Sequence, residues 1–204
     1  MPSAFIRHLP NCLSMSRIPF LFLTTIMLFT DYEYRHTCAL AFLILGSITD
    51  YLDGQAARYF KVVSKFGILF DSLADKILTV GVFITFLTKK IYPPWFVFPV
   101  LVILSRELLM CGLRMLAAKE QIVLAAEKSG KVKTAVQMVA SCFSVGAISF
   151  RELGVQEKYC SVLLEVGNKA FLVSAVLAMT SGYSYFSKYK YLFQDEEEKV
   201  VEKK

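Results

Sequence analysis

The sequence predicts an all-α polytopic membrane protein with six transmembrane helices and both termini cytoplasmic, and three observations predict it. Of the 204 residues, 55% are hydrophobic and 14% aromatic, with a mean hydropathy of +0.51. Soluble domains use about 45–50% apolar residues even with glycine counted. Windows of about 20 apolar residues, the length that crosses a hydrocarbon core about 30 Å thick as a helix, recur near 13–30, 36–57, 66–88, 95–117, 133–150 and 161–187. Of the 23 Lys and Arg, sixteen fall in segments or span ends that are inside if the N-terminus is inside, and only five (Arg35, Lys89, Lys90, Arg151, Lys158) fall outside, the bias that sets orientation. The spans consume most of the chain. This predicts a single transmembrane domain over 1–190 and a charged tail over 191–204.

Taken in order, residues 1–17, "MPSAFIRHLPNCLSMSR", mix Phe5, Ile6, Leu9 and Leu13 with Arg7, His8 and Arg17, as a short interfacial helix does. The first span is followed by "DYEYRH" with no small-residue cleavage site, so no removable signal peptide is expected. Spans two and three are separated only by the basic stretch from Arg58 to Lys65, which makes them antiparallel neighbours. "IYPPWF" at 91–96 reads as an outside turn with Trp95 as interfacial anchor. The connection 115–130, "MLAAKEQIVLAAEKSG", is too apolar for a solvated loop and predicts a surface-lying or half-inserted stretch. The tail "QDEEEKVVEKK" has the composition of disorder. No internal repeat is visible.

The five cysteines (12, 38, 111, 142, 160) stand singly, without the spacing of a disulfide framework or zinc site, and read as small apolar residues. The net charge of +6 suits an anionic leaflet or a phosphate ligand. No nucleic-acid-binding module is present.

The segment "DYLDGQAARYFKVVSKFGILFDSLADK", residues 50–76, is the anomaly. Asp50 and Asp53 are three apart near the inside end of span two, and Asp71 and Asp75 are four apart at the start of span three. Each pair presents two carboxylates on one helix face. Ionised aspartate costs a few kcal/mol in hydrocarbon even on lenient scales, so four of them need a compensating partner. Hard divalent cations, which prefer oxygen ligands, relieve the mutual repulsion directly. Gly46, Gly54 and Ala57 share the stripe of Asp50 and Asp53, and Gly67 precedes Asp71 by one turn. Small residues there admit close helix approach or a ligand. An EF-hand is excluded, because the pattern is D-x-x-D-G and the twelfth position is Lys61. Lys76 beside Asp75 is given no catalytic role.

Asp50, Asp53, Gly54, Ala57, Arg58, Gly67, Asp71 and Asp75 match D-x2-D-G-x2-A-R-x8-G-x3-D-x3-D at all eight fixed positions, and on them the chain resembles the CDP-alcohol phosphatidyltransferases. "LPNCLSMSRI" (9–18), "SRELLMCGLR" (105–114) and "SGKVKTAVQM" (129–138) are similar to the phosphatidylglycerophosphate synthase branch of that family. The resemblance implies transfer of a phosphatidyl group from CDP-diacylglycerol to the 1-hydroxyl of sn-glycerol 3-phosphate, with release of CMP. It implies a two-ion Mg2+ or Mn2+ site on Asp50, Asp53, Asp71 and Asp75, with Asp75 taking the proton of the attacking hydroxyl. It further implies a CDP-diacylglycerol pocket involving Asp50, Gly54, Ala57, Arg58 and Gly67, and a homodimer, while the Lys and Arg bias and a compact chain without a targeting peptide point to a bacterial cytoplasmic membrane with the site facing the cytoplasm. For the acceptor's phosphate, Arg106 and Arg114 lie eight apart on span four and Lys131 and Lys133 begin span five on the same side. Guanidinium groups suit bidentate phosphate recognition. Arg17 is a further candidate.

Other readings are open at this point. A relative using inositol phosphate, serine or a second lipid differs only in acceptor, and the basic cluster favours a phosphorylated one. Membrane prenyltransferases also pair aspartates on two helices but lack D-G-x2-A-R. A metal transporter places its carboxylates nearer the midplane.

Overall fold

A computed structural model describes residues 4–60, 65–119 and 128–189; at 4–14, 50–60, 65–72, 75, 116, 118–119, 128–129 and 131 the description is of the backbone alone. The described residues are helical with short turns and contain no strand: α1 (Ala4–Phe29), α2 (Arg35–Phe60), α3 (Lys65–Thr88), a 3₁₀ turn (Pro94–Phe96), α4 (Val97–Lys119), α5 (Lys128–Glu152) and α6 (Glu157–Tyr189). Each expected span falls on one of these helices. Among the residues described with their side chains, three stretches, Pro94–Met115, Val132–Glu152 and Glu157–Tyr189, are long and apolar enough to cross a membrane, and Met15–Phe29, Arg35–Thr49 and Lys76–Thr88 are apolar parts of α1, α2 and α3. The leader and first span differ from expectation, since a single helix runs from Ala4 to Phe29. The charged tail and most of the 115–130 connection lie outside the described residues.

The chain divides into two compact units, Met1–Phe96 with Met138–Ala170, and Val97–Gln137 with Phe171–Lys204. In the first, α1 packs on both α2 and α3. The Phe20 and Phe42 rings lie 6.5 Å apart, and a Cβ built on Gly46 would stand 3.4 Å from Phe20 Cβ and 3.8 Å from a Leu78 methyl. Gly46 is therefore where α1, α2 and α3 meet, with room for a Cβ in ordinary contact but little more. Against α3, Leu21 fills the space a side chain at Gly81 would need, and Thr25 Oγ1 lies 3.1 Å from Thr85 Oγ1.

The start of α2 is held by the end of α5. Glu152 accepts hydrogen bonds from the backbone N–H groups of His36 (3.2 Å) and Thr37 (3.0 Å) and from the Thr37 hydroxyl (2.9 Å), and its Oε1 is 3.0 Å from His36 Nδ1. A carboxylate from a distant helix thus caps N–H groups that have no partner within their own helix. α5 ends in a Schellman turn, with Gly154 at φ 79° and Val155 N–H donating to Phe150 O at 2.9 Å. α3 ends the same way on Lys90 at φ 55°, with Ile91 N–H donating to Phe86 O at 2.9 Å. After it Tyr92 packs edge-on to Phe86 and against Phe96, while Trp95 stays half exposed, as an interfacial anchor requires. Cys38, Cys111, Cys142 and Cys160 are free thiols.

Within the first unit α5 and α6 touch at Gly167, where a Cβ would stand 2.8 Å from Ser144 Oγ and 3.1 Å from both Ala140 O and Ser144 N. Backbone cannot move aside as a side-chain tip can, so Gly167→Leu is expected to lower stability by about 2 kcal/mol through overpacking. Gly112, around which nothing lies within 4 Å, serves as control: Gly112→Ala should be neutral or gain about 0.5–1 kcal/mol of helix propensity. Thermal unfolding of both variants in one detergent checks the contrast.

Candidate active site

The motif aspartates fall on α2 and α3 of the first unit. Their side chains, and those of Gly54, Ala57, Arg58 and Gly67, lie outside the described residues, so it is the helix backbone that positions them. Gly46 of α2 meets Leu78 of α3, and the helices are joined through residues 61–64 alone, which sets them antiparallel. Asp53 lies seven residues beyond Gly46 and Asp71 seven before Leu78. Asp50 lies four beyond Gly46 and Asp75 three before Leu78. At about 1.5 Å per residue, positions 53 and 71 are level across the helix pair, and 50 and 75 are within one residue of it. Among the described residues no cluster of three or more His, Cys, Asp or Glu side chains occurs.

The second unit holds the basic residues. Arg106 Nη1 donates to Glu107 Oε1 at 2.9 Å, Arg106 Nη2 to Ser181 Oγ at 3.3 Å, and Lys133 Nζ to the same Glu107 oxygen. Lys133 is almost fully buried, and the Arg106 and Glu107 side chains are 12% and 20% exposed. The Arg106 side chain lies in a slot between Gly130 and Gly182: a Cβ on Gly130 would stand 3.6 Å from Nη2, and one on Gly182 3.0 Å from Cγ. Arg106 Nε is buried without a hydrogen-bond partner among the described residues. Met110, Leu113 and Tyr185 pack as a buried apolar cluster, with Tyr189 against it.

One carboxylate therefore bridges two cations that belong to segments 26 residues apart. An arginine, a lysine and a hydroxyl in a slot walled by glycines are equipped to take a small phosphate, with Glu107 holding the cations together. Arg114 does not join them. Eight residues on a helix turn about 800°, some 80° past two full turns, and Arg114 is exposed while Arg106 is packed inward. The side chain of Lys131 lies outside the described residues. Sequence reasoning singled out neither Lys133 as a partner of Glu107 nor Ser181. The repeated Ser-Gly pairs at 129–130 and 181–182 were the available signal.

Comparison with known proteins bears on both units. The profile of a family described as CDP-alcohol phosphatidyltransferase matches residues 7–180. Similar proteins bear the name CDP-diacylglycerol–glycerol-3-phosphate 3-phosphatidyltransferase. One from Rickettsia typhi is 32% identical over 92% of this chain and 100% of its own length. One from Bacillus subtilis is 30% identical over 89% of this chain and 94% of its own, and one from Treponema pallidum is 40% identical over 72% and 66%.

The bridge predicts an asymmetry in stability. Removing Glu107 leaves two packed cations facing each other, whereas removing Lys133 leaves Glu107 still paired with Arg106. Glu107→Ala should cost about 3 kcal/mol, in the range for an uncompensated buried charge, and Lys133→Met distinctly less. Unfolding midpoints of both variants in detergent check the order.

Proposed function

Because the chain belongs to the CDP-alcohol phosphatidyltransferase family, we propose that it is a phosphatidylglycerophosphate synthase, with the roles assigned below to its own residues. It is a transferase of phospholipid biosynthesis that moves the phosphatidyl group of CDP-diacylglycerol onto sn-glycerol 3-phosphate. One observation carries this reading: the eight-position motif from Asp50 to Asp75 is intact and lies inside a family match covering residues 7–180.

The family is divalent-metal dependent, and the donor set fits, since four carboxylates at matched levels of two antiparallel helices offer only hard oxygen ligands. Asp50, Asp53, Asp71 and Asp75 would hold Mg2+ or Mn2+, in our reading two ions, which screen diphosphate charge when bound. Gly54, Ala57, Arg58 and Gly67, with Asp50, form the pocket for the CDP part of the donor. Lys133, Arg106 and Lys131, with Arg114 as an outer contact, hold the acceptor's phosphate. The acceptor oxygen attacks the phosphorus that carries the diacylglycerol. A bond forms between them, the bond from that phosphorus to the bridging oxygen of CMP breaks, and its electron pair leaves with CMP. Asp75 takes the hydroxyl proton, for which carboxylates crowded at one level have a physical reason to hold affinity.

The same reading makes residues 1–190 one domain of six spanning helices with both termini cytoplasmic, 191–204 a charged tail, and the site open to the cytoplasm of a bacterial membrane. It makes the protein a homodimer. The bias of Lys and Arg supports the orientation, and the family resemblance supports the dimer.

Purified protein in detergent with CDP-diacylglycerol, Mg2+ and a panel of acceptors tests the reaction. CMP and phosphatidylglycerophosphate should appear with glycerol 3-phosphate alone, and Asp75→Asn should bind donor yet make no product. CMP release with serine or inositol phosphate instead would overturn the acceptor, and no CMP from folded protein would overturn the activity. In the same assay Arg106→Ala should raise the acceptor KM about tenfold, about 1.4 kcal/mol, with the donor KM little changed. Equal effects on both would make Arg106 structural.

A further inference from the structure

Arg17 of α1 is fully buried, and neither the reaction nor the acceptor cluster uses it. It heads a stripe of buried residues, Arg17, Leu21, Thr24 and Leu28, while Met15, Phe22, Ile26 and Phe29 are exposed on the other faces. Steps of four, three and four trace one helix face. A guanidinium cannot shed its charge, and one within a membrane helix marks a site that supplies anions.

The depth of Arg17 follows from the register of α1. Leu21 meets Gly81, Thr25 meets Thr85, and Phe29 lies under Lys89, whose Nζ is 4.7 Å from the ring. All three pairs have the same offset of 60 in number, so α1 and α3 run parallel and in step. Position 17 is then level with 77, two residues from Asp75. Against α2, Phe20 meets Gly46, and the short connection between Phe29 and Arg35 makes those helices antiparallel. Position 17 is then level with 49, one residue from Asp50. Phe20, which faces α2, and Leu21, which faces α3, follow Arg17 by three and four residues on the same face. Helical side chains lean towards the N-terminus of their own helix. Here that direction runs from level 77 back towards levels 75 and 71 on α3, and from 49 towards 50 and 53 on α2.

We propose that Arg17 binds the diphosphate of CDP-diacylglycerol, as a fixed positive charge set at the depth of the carboxylate pairs. The inference rests on the function proposed above. It assigns Arg17 to the donor rather than to the acceptor's phosphate, because Arg17 shares a compact unit with the whole donor motif, whereas Arg106 and Lys133 belong to the other. The planar fork of arginine bonds two phosphate oxygens at once, and the donor brings two adjacent phosphates.

Calorimetric titration of detergent-purified protein with CDP and with CMP, in Mg2+, tests this alongside KM values and thermal unfolding. Wild type should bind CDP more tightly than CMP. Arg17→Gln should weaken CDP binding at least tenfold, erase most of the preference over CMP, raise the donor KM by a similar factor and leave the acceptor KM within about twofold. Arg17→Lys, which keeps the charge without the fork, should fall between. A folded Arg17→Gln that keeps its CDP preference, or that raises the acceptor KM instead, overturns the proposal. If Arg17→Gln does not fold, Arg17→Lys decides alone: a reduced preference for CDP supports the inference, and an unchanged one makes Arg17 a structural counter-ion. Wild type that binds neither nucleotide would overturn the functional reading itself, whatever the variants do.

Discussion

Glu107, Glu152 and Arg17 answer to one constraint: an ionised group packed inward on an apolar helix must meet its counter-charge, a donor or a ligand inside the protein. Water is not there to do it, and the cost of failing is several kcal/mol per group. Glu152 satisfies the open start of α2 from the end of α5. Glu107 ties Arg106 to Lys133 across two helices. Arg17 lies buried at the level of the aspartates. Each charge thereby fixes which helices are neighbours and at what height, so the demands of solvation and the placement of reactive groups are met by the same side chains.

Those heights are set by contacts that carry no charge. Gly81 of α3 leaves the space that Leu21 of α1 fills, Phe20 packs over Gly46 of α2, and Thr25 and Thr85 pin the register of α1 against α3. A slip of one residue along α1 would move Arg17 by about 1.5 Å and turn it by about 100°, out of the buried stripe. Apolar packing of low specificity could not hold such a register alone, because lipid-facing side chains are as apolar as those between helices. Small residues and paired hydroxyls supply the specificity.

The helices were legible in the sequence because hydropathy and length are local properties: all six windows are taken up by helices, and the break between α3 and α4 was marked by its prolines. The continuity of α1 was not legible, since Arg7, His8 and Pro10 interrupt its apolar pattern while its backbone stays helical from Ala4. The carboxylates announced themselves because their spacing is local too. The cluster of Arg106, Glu107 and Lys133 was half legible. Arg106 stood out inside an apolar run, but its association with Lys133 through Glu107 joins positions 26 residues apart, and no periodicity encodes that. Arg114 is exposed while Arg106 is packed inward, because two turns of helix are closer to seven residues than to eight.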